Sequence, residues 1–275
     1  MSESSGLFET ATDREALERA AASASPTTVE RADLALVHTL DASLRTPMFA
    51  LLASLADNKY VLGRRYAEWC TGAPMLESAV AAAAMAQDEL GHARSFYPLL
   101  RGFPEGRDLA PMEEKGWQQR ATSAMACLEQ RFGAWIDFVA ANLVVDTALT
   151  TLLSAAVDSD YEPLRQRARK IQQEESGHWV HAAGWARRLA AKRAELARAL
   201  SEVWDHAFTW FGRADDPVIG PLSAAGLLAY TSDGLRKRLR ARLEPVLDEA
   251  KLAEPLLARS LPWDRWDPAA RRLRV

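Results

Sequence analysis

The sequence predicts an almost entirely α-helical protein. Alanine, leucine, arginine and glutamate dominate its 275 residues, runs of β-branched residues are scarce, and glycines and prolines cluster between long stretches of helical periodicity. The apolar fraction of 48% can supply a real core at this length. We therefore expect one main helical domain.

Short segments that contain helix breakers divide the chain into its helices. They read CTGAP at 70–74, RGFPEGRDLAP at 101–111 and DSDYEP at 158–163. Between them the periodicity predicts four long helices, at about 46–69, 75–101, 115–157 and 162–190. A short helix is expected within VERADLALVHTLDASL, and a further helical stretch reaches about residue 211.

These elements predict three regions. Residues 1–45 form a partly mobile lead-in, residues 46–212 form the main bundle, and residues 213–275 form a smaller helical appendage. The appendage contains the basic run LRKRLRAR at 235–242, which we expect to be a solvated helix face because acidic residues flank it.

Charge and composition exclude several classes of partner. The formal net charge is −3, so we expect neither a nucleic acid nor a membrane surface as partner. Cys70 and Cys127 form no metal or disulfide spacing motif, which favours reduced thiols in the cytoplasm. We expect no signal peptide and no membrane span, since no stretch reaches about 18 uncharged apolar residues.

A repeated phrase points to the chemistry. QDELGH at 87–92 and QEESGH at 173–178 share the pattern Gln-acid-Glu-x-Gly-His. Residues three and four apart lie on one side of a helix, so each Glu-x-x-His pair interrupts an apolar stripe. Gly91 and Gly177 are expected to serve close packing or to leave room beside a site, because glycine destabilises a helix interior by about 1 kcal/mol relative to alanine.

Four inward-facing stripes each carry an ionisable group near mid-length. The stripe of the third helix contains Asp146, and that of the first contains Lys59. Several buried carboxylates need a shared cation, since burying an unpaired charge costs several kcal/mol. Two helices with Glu-x-x-His and two that add further ligands are typical of ferritin-like dinuclear four-helix bundles. We therefore predict a metal site with iron, or manganese, held by the following ligands: Glu89, His92, Asp146, Glu175 and His178.

The wording of residues 57–94, DNKYVLGRRYAEWCTGAPMLESAVAAAAMAQDELGHAR, resembles the multicomponent phenylacetyl-CoA epoxidase family of phenylacetate catabolism. The likeness continues through NLVVDTAL at 142–149 and QEESGHWVHAAGWARRL at 173–189, and more faintly through EVWDHAFTWFG at 202–212. The resemblance implies a ferritin-like bundle with additional N- and C-terminal helices. It also implies two sister subunits, one catalytic and dinuclear and the other structural.

The chain resembles both sisters in part. Phrases such as DN, LG, EWC, AP and LE are similar to the structural sister, whereas the acids and histidines above occupy the positions that the catalytic sister uses. One position departs from the catalytic pattern, because its first-helix glutamate is Lys59 here. Asp57 and Glu68 point away from that position and do not replace the glutamate.

Three roles are open for Lys59. A neutral amine could bind metal, because burial and a nearby dication both lower the pKa of a lysine. An ammonium could pair with Glu89 or Asp146 and take the place of one ion, which would leave one iron or none. The lysine could also donate a proton near bound oxygen, in which case Lys59 and Asp146 would be catalytic.

Two functions follow from the resemblance. The first is a non-haem diiron, or Fe/Mn, oxygenase that uses O2 to epoxidise or hydroxylate a small organic substrate such as an aromatic acyl-CoA, with electrons from a reductase. The second is a non-catalytic scaffold subunit in which Lys59 replaces a metal ligand. Either function fits a homodimer or a heteromer with a sister subunit.

Overall fold

The computed structural model describes residues 36–106 and 123–274. The fold is all-α apart from one small hairpin, so the predicted fold class is confirmed. The first two helices are α1, Ala42–Ala67, and α2, Leu76–Leu100. The third bundle element consists of α3, Trp135–Ala141, a π-helical segment, Asn142–Asp146, and α4, Thr147–Ser154.

The fourth bundle element is divided in two. It consists of α5, Glu162–Glu174, and α6, Ser176–Leu189. The helices that follow are α7, Arg193–Thr209, α8, Ile219–Ala224, α9, Ser232–Glu249, and α10, Ala253–Leu257. The strands β1, Trp266–Asp267, and β2, Arg272–Leu273, pair antiparallel, with Trp266 opposite Leu273. Short 3₁₀ turns stand at Val37–Thr39, Pro104–Gly106, Ala126–Leu128, Ala190–Lys192 and Trp263–Arg265.

Several predicted boundaries need correction. Helix α1 begins at Ala42, because the side chain of Asp41 caps it by accepting a hydrogen bond from the Ser43 N–H at 2.8 Å. Of the short helix expected before it, the described residues form the 3₁₀ turn Val37–Thr39. The predicted fourth helix at 162–190 was wrong in being continuous, since it is interrupted at Glu175.

The start of the third helix was also predicted too early over the residues that the structure describes. Residues 107–122 lie outside the described residues, and the chain from Ser123 to Ala134 contains a 3₁₀ turn and a loop before α3 begins. The Asp137 carboxylate accepts a hydrogen bond from the Ala134 N–H at 2.9 Å, which fixes the start of α3 after the loop.

The bundle consists of two groups of packed helices. Helices α1 and α2 pack against each other along most of their length, and α6 and α7 pack against α3 and the π segment. The segment Trp135–Ser154 is the one helix in the described parts that is long and apolar enough to cross a membrane, yet 83% of its most apolar stretch is buried inside the protein. It is therefore the central element of the core.

The C-terminal elements lie against this bundle. Helix α9 contacts α4 and α6, and α8 contacts α1. Leu235, Leu239 and Leu243 of α9 are buried, whereas the basic residues between them face outwards or line its flanks. The C-terminal region, which was predicted to be a helical appendage, ends in a β-hairpin that the sequence did not predict.

Candidate metal centre

The side chain of Lys59 lies at the middle of the bundle core. Its Nζ donates hydrogen bonds to Glu89 Oε1 at 2.7 Å and to Asp146 Oδ1 at 3.2 Å, and it also contacts Glu175 Oε1. Lys59 and Glu89 are fully buried, and the side chains of Asp146 and Glu175 are 2% exposed. Four helical elements thus converge on one ammonium group.

The His178 imidazole completes this cluster. Its Nδ1 donates to Asp146 Oδ2 at 2.9 Å and lies 3.1 Å from Glu175 Oε2 and 3.5 Å from Glu89 Oε1. The site residues predicted on separate helices are therefore brought together within one cluster. Whether they bind metal stays a prediction.

Asp146 is held by two further groups that the sequence analysis did not assign to the site. Its Oδ2 accepts hydrogen bonds from the Tyr66 hydroxyl and from Asn142 Nδ2, both at 3.2 Å. Asn142 and Asp146 are the two ends of the π-helical segment, and such wide turns are frequent at functional sites. A signal was present for Tyr66, because it lies seven residues after Lys59 on the same helical stripe.

The two repeated phrases hold each other's histidines. His92 Nε2 donates to Glu174 Oε2 at 2.8 Å, and His178 Nε2 donates to Asp88 Oδ2 at 3.3 Å. Asp88 and Glu174 are the first acids of QDELGH and QEESGH, so each phrase supplies the acid that orients the histidine of the other. This exchange explains why an acid precedes the Glu-x-x-His in both phrases.

His92 differs from His178 at its inner nitrogen. His92 Nδ1 lies 3.4 Å from Glu175 Oε1 and makes no hydrogen bond within the described part of the chain. Its ring is 4% exposed. The predicted ligand His92 is therefore in the core beside the cluster, but less tightly engaged than His178.

Burial and charge shift the pKa values of the cluster in opposite directions. Burial opposes the charge of Lys59, but Glu175, Glu89 and Asp146 outweigh it and raise the pKa of the ammonium well above its usual range. Burial raises the pKa of the Glu89 carboxyl well above its usual value, although Lys59 opposes the rise. Glu89 Oε2 is buried and makes no hydrogen bond with the described residues.

Glu175 and His178 shift towards their charged forms. Burial disfavours the Glu175 carboxylate, but Lys59 and His178 outweigh this and hold its pKa well below the usual value. Burial likewise opposes a charge on His178, yet Asp146 and Glu175 raise the pKa of the imidazole far above its usual value. The cluster thus places two cations, Lys59 and His178, among the carboxyl groups of Glu89, Asp146 and Glu175.

A glycine allows the helices to approach at this point. A Cβ added to Gly63 would lie 2.9 Å from Glu89 Cβ and 3.0 Å from Leu90 Cγ. Gly63 therefore brings α1 and α2 close enough for Lys59 to reach Glu89. Gly91 and Gly177 were expected to serve close packing, but an added Cβ would meet nothing within 4 Å at either position, so that explanation was wrong for contacts within the described chain.

The remaining candidates lie outside the cluster. His181 Nδ1 donates to Asn142 Oδ1 at 3.1 Å and so backs the cluster indirectly, whereas His38 is exposed. Asp57 accepts a hydrogen bond from the Ser123 N–H, and Glu68 pairs with Arg65, so neither replaces the missing first-helix glutamate.

The resemblance implies two irons, and the residues present do not fit two ions. The ammonium of Lys59 contacts the carboxylate oxygens that would have to face the metals. Glu89, Asp146, Glu175 and His178 could hold one ion, because one donor atom of each lies within 4.8 Å of the others. Such an ion would compete with Lys59 for the same three carboxylates.

The fold and this cluster define a ferritin-like helical bundle with a buried carboxylate–histidine core. Residues 37–265 match the phenylacetic acid catabolic protein family, and the chain belongs to that family. One of the subunits of 1,2-phenylacetyl-CoA epoxidase from Escherichia coli (strain K12) is similar to it, with 29% identity over 208 residues that cover 73% of this chain and 81% of that protein. The resemblance found in the sequence is confirmed.

Proposed function

We propose that the chain is a non-catalytic subunit of a multicomponent oxygenase, in which Lys59 takes the place of a metal centre. The observation that carries this proposal is the contact of one ammonium group with three buried carboxylates. It corresponds to the second of the two functions expected from the sequence. The subunit would stabilise and orient a catalytic sister in the cytoplasm.

The charges of the cluster support this role. An ion added to the cluster would meet two cations, Lys59 and His178, at a distance where like charges repel strongly in a dry core. Lys59 contacts all three carboxyl groups without a metal, so we expect the bundle to fold as a stable framework without one. A framework of this kind suits a subunit whose task is to hold another chain.

The relative supports the setting. The similar Escherichia coli protein is a subunit of 1,2-phenylacetyl-CoA epoxidase. We therefore propose that the assembly containing this chain oxidises an aromatic acyl-CoA thioester with O2, that a sister subunit holds the metal, and that a reductase supplies electrons. The class of reaction is oxidation by an oxygenase, and the present chain contributes assembly.

A second candidate function rests on the four donors that could hold one ion. Glu89, Asp146, Glu175 and His178 offer three carboxylates and one imidazole, which suits iron or manganese. A bound ion would supply O2 activation. This function requires that Lys59 loses its proton or turns away, against the raised pKa of its ammonium.

Metal analysis of the purified full-length chain separates the two functions. We expect far less than one iron or manganese per chain after growth with both metals. The variant K59E replaces the ammonium by the missing carboxylate, and we expect it to retain metal. The matched control K237E makes the same charge change on the exposed face of α9 and should retain none. One tightly held iron per wild-type chain would contradict the scaffold proposal.

Reconstitution with the sister subunit and reductase tests the role directly. We expect H178Q in this chain to leave the turnover number of the assembled complex unchanged, because the chemistry lies elsewhere. Assembly is measured separately by size-exclusion chromatography, so that loss of complex is not mistaken for loss of catalysis. Abolished oxygen-dependent turnover in a fully assembled H178Q complex would favour the enzymatic candidate.

A further inference from the structure

Helix α9 forms one wall of a groove that leads towards the core cluster. An outer cavity of about 460 Å³ lies between α4, α5 and α9, and an inner cavity of about 140 Å³ adjoins it. The two share Thr147, Thr150, Gln172 and Arg242, and the inner one also reaches Asn142 and His178. The groove is large enough for a small organic ligand.

Two arginines line the outer cavity from the same side. Arg238 and Arg242 are one helical turn apart on α9, so their guanidinium groups project in the same direction. The guanidinium carbon of Arg238 lies 4.3 Å from the centre of the Tyr230 ring, and that of Arg242 lies 4.1 Å from the centre of the Trp179 ring. Stacking on the rings holds both cations in place at the groove.

Neither arginine has a carboxylate partner among the described residues, although the chain as a whole has more acids than bases. Some other surface arginines of this protein are paired. Arg187 binds Glu249, and Arg198 contacts Glu202 and also Asp137 at 2.8 Å. Two guanidinium groups that stack on aromatic rings and have no carboxylate partner among the described residues therefore lie beside one cavity.

We propose that this groove, which we call the α9 groove, binds a phosphoryl group of an organic phosphate. Arginine matches phosphate oxygens because its planar fork donates two parallel hydrogen bonds. The cavity walls add the hydroxyl groups of Thr150, Thr151 and Ser154. These hydroxyls donate to backbone carbonyls about one helical turn earlier, and each would rotate to donate to a ligand phosphate.

The two ends of the α9 groove suit different parts of such a ligand. Asp146 and Glu175 line the inner cavity and repel a phosphate there, whereas Arg238 and Arg242 attract it at the outer end. The ligand would therefore place its anion outside and an uncharged polar portion inside, near Asn142 and Thr147.

The proposal goes beyond the proposed function and does not depend on it. The α9 groove uses no residue of the ammonium–carboxylate contact for anion binding, and a metal-free chain and a metal-loaded chain would both retain it. Failure to bind a phosphate would leave the scaffold proposal intact, and one iron per chain would leave the α9 groove intact.

Calorimetric titration of the full-length chain at constant ionic strength tests the α9 groove. The probes are inorganic phosphate, pyrophosphate and ADP, with sodium chloride as the reference. We expect R238Q/R242Q to weaken pyrophosphate binding by about tenfold or more, as expected for the loss of charge-assisted hydrogen bonds. Tighter binding of ADP than of pyrophosphate indicates a nucleotide ligand, whereas equal binding indicates that the phosphate groups alone are recognised.

The matched control is K237Q/R240Q. It removes the same charge from the same helix, but Lys237 and Arg240 line a different cavity on the other flank of α9. We expect its pyrophosphate affinity to change by less than about twofold, since screened long-range attraction is weak at this ionic strength. If both variants weaken pyrophosphate binding equally, the effect is one of overall charge and the proposal is overturned. The absence of a heat of binding with all three probes would overturn it as well. Circular dichroism checks that both variants fold.

Discussion

The two halves of the bundle carry the same arrangement with one residue exchanged. In the half formed by the third and fourth elements, Asp146 is followed 29 residues later by Glu175 and then His178. In the half formed by α1 and α2, Lys59 is followed 30 residues later by Glu89 and then His92. His178 donates its Nδ1 proton to Asp146, whereas His92 Nδ1 has no such acceptor within the described chain.

This difference indicates how an ammonium group, instead of a metal ion, can hold together the buried carboxyl groups of a bundle core. A metal centre holds buried carboxylates together through its positive charge. Lys59 brings a positive charge to the same carboxylates from the position where the other half has an acid. One exchange therefore changes the charge of the cluster by two units, while Asp146, Glu175 and His178 of the other half, together with Glu89, still form a set of donors that could hold one ion.

Removal of Lys59 should break the arrangement most severely. In K59M a side chain of similar length leaves three buried carboxyl groups without their central cation. We expect the free energy of unfolding at neutral pH to fall by about 3 to 5 kcal/mol, which denaturant titration measures. The control K237M removes an exposed lysine and should change it by less than about 0.5 kcal/mol.

Divalent metal sharpens this prediction. If the ammonium stands where a cation would, manganese should raise the Tm of K59M and leave that of the wild type unchanged. An equally stable K59M without metal would show that the cluster does not need the charge of Lys59, and the comparison between the halves would lose its explanation.

The two histidines should respond unequally to truncation. H178A removes the donor that serves Asp146 and Glu175 in the core, and we expect a loss of about 2 to 3 kcal/mol. H92A removes one hydrogen bond to the half-exposed Glu174, and we expect a loss of about 1 to 2 kcal/mol, mostly from packing. Equal losses in denaturant titrations would mean that the two halves are energetically alike.

Much of this arrangement was predictable because the helical periodicity and the repeated phrase can both be read directly from the sequence. The stripes placed Lys59, Asp146 and the two Glu-x-x-His pairs inwards, and the structure has all of them in the core, with His92 beside the cluster that the others form. Position on a stripe depends only on local helix geometry, which the sequence determines directly. The all-α class followed from the same periodicity.

Other features were not predictable from local patterns. The break at Glu175 and the π segment before Asp146 change the direction of single side chains, and no breaker residue marks either of them. The bonds of Asp88 to His178 and of Glu174 to His92 join residues more than eighty positions apart, so they depend on how the helices pack. The sequence marked Lys59 as an exception and named Glu89 or Asp146 as its partner. It did not add Glu175, whose approach to Lys59 depends on how the helices pack.

Protonation of His181, which lies in the second half of the bundle, should have a smaller effect on stability. Burial, and then the charge of His178, lower the pKa of His181 to about 4. Between this value and the usual pKa near 6.5, the unfolded chain takes up a proton that the folded chain does not, so stability is present at neutral pH and falls as the pH decreases.

We expect His181 to contribute a loss of about 1 kcal/mol between pH 7 and pH 5, reduced because the ring is partly exposed. H181Q should flatten this part of the stability–pH curve in denaturant titrations. His206, whose pKa burial also lowers to about 4, adds a slope of the same sign that H181Q leaves in place. An unchanged slope in H181Q would show that His181 takes up its proton in the folded state.

The bonds exchanged between the phrases should have the smallest effects and should be alike. Asp88 and Glu174 are 42% and 38% exposed at their side chains, so water screens both pairs. We expect D88N and E174Q each to lower the free energy of unfolding by about 0.5 to 1 kcal/mol. Nitrogen-15 NMR of the imidazoles should show a changed environment at His178 in D88N and at His92 in E174Q, each without an effect on the other ring. Similar losses of stability in D88N and E174Q, together with unequal losses in H178A and H92A, would locate the difference between the halves at Lys59. A large loss in only one of D88N and E174Q would extend that difference to the outer contacts of the histidines.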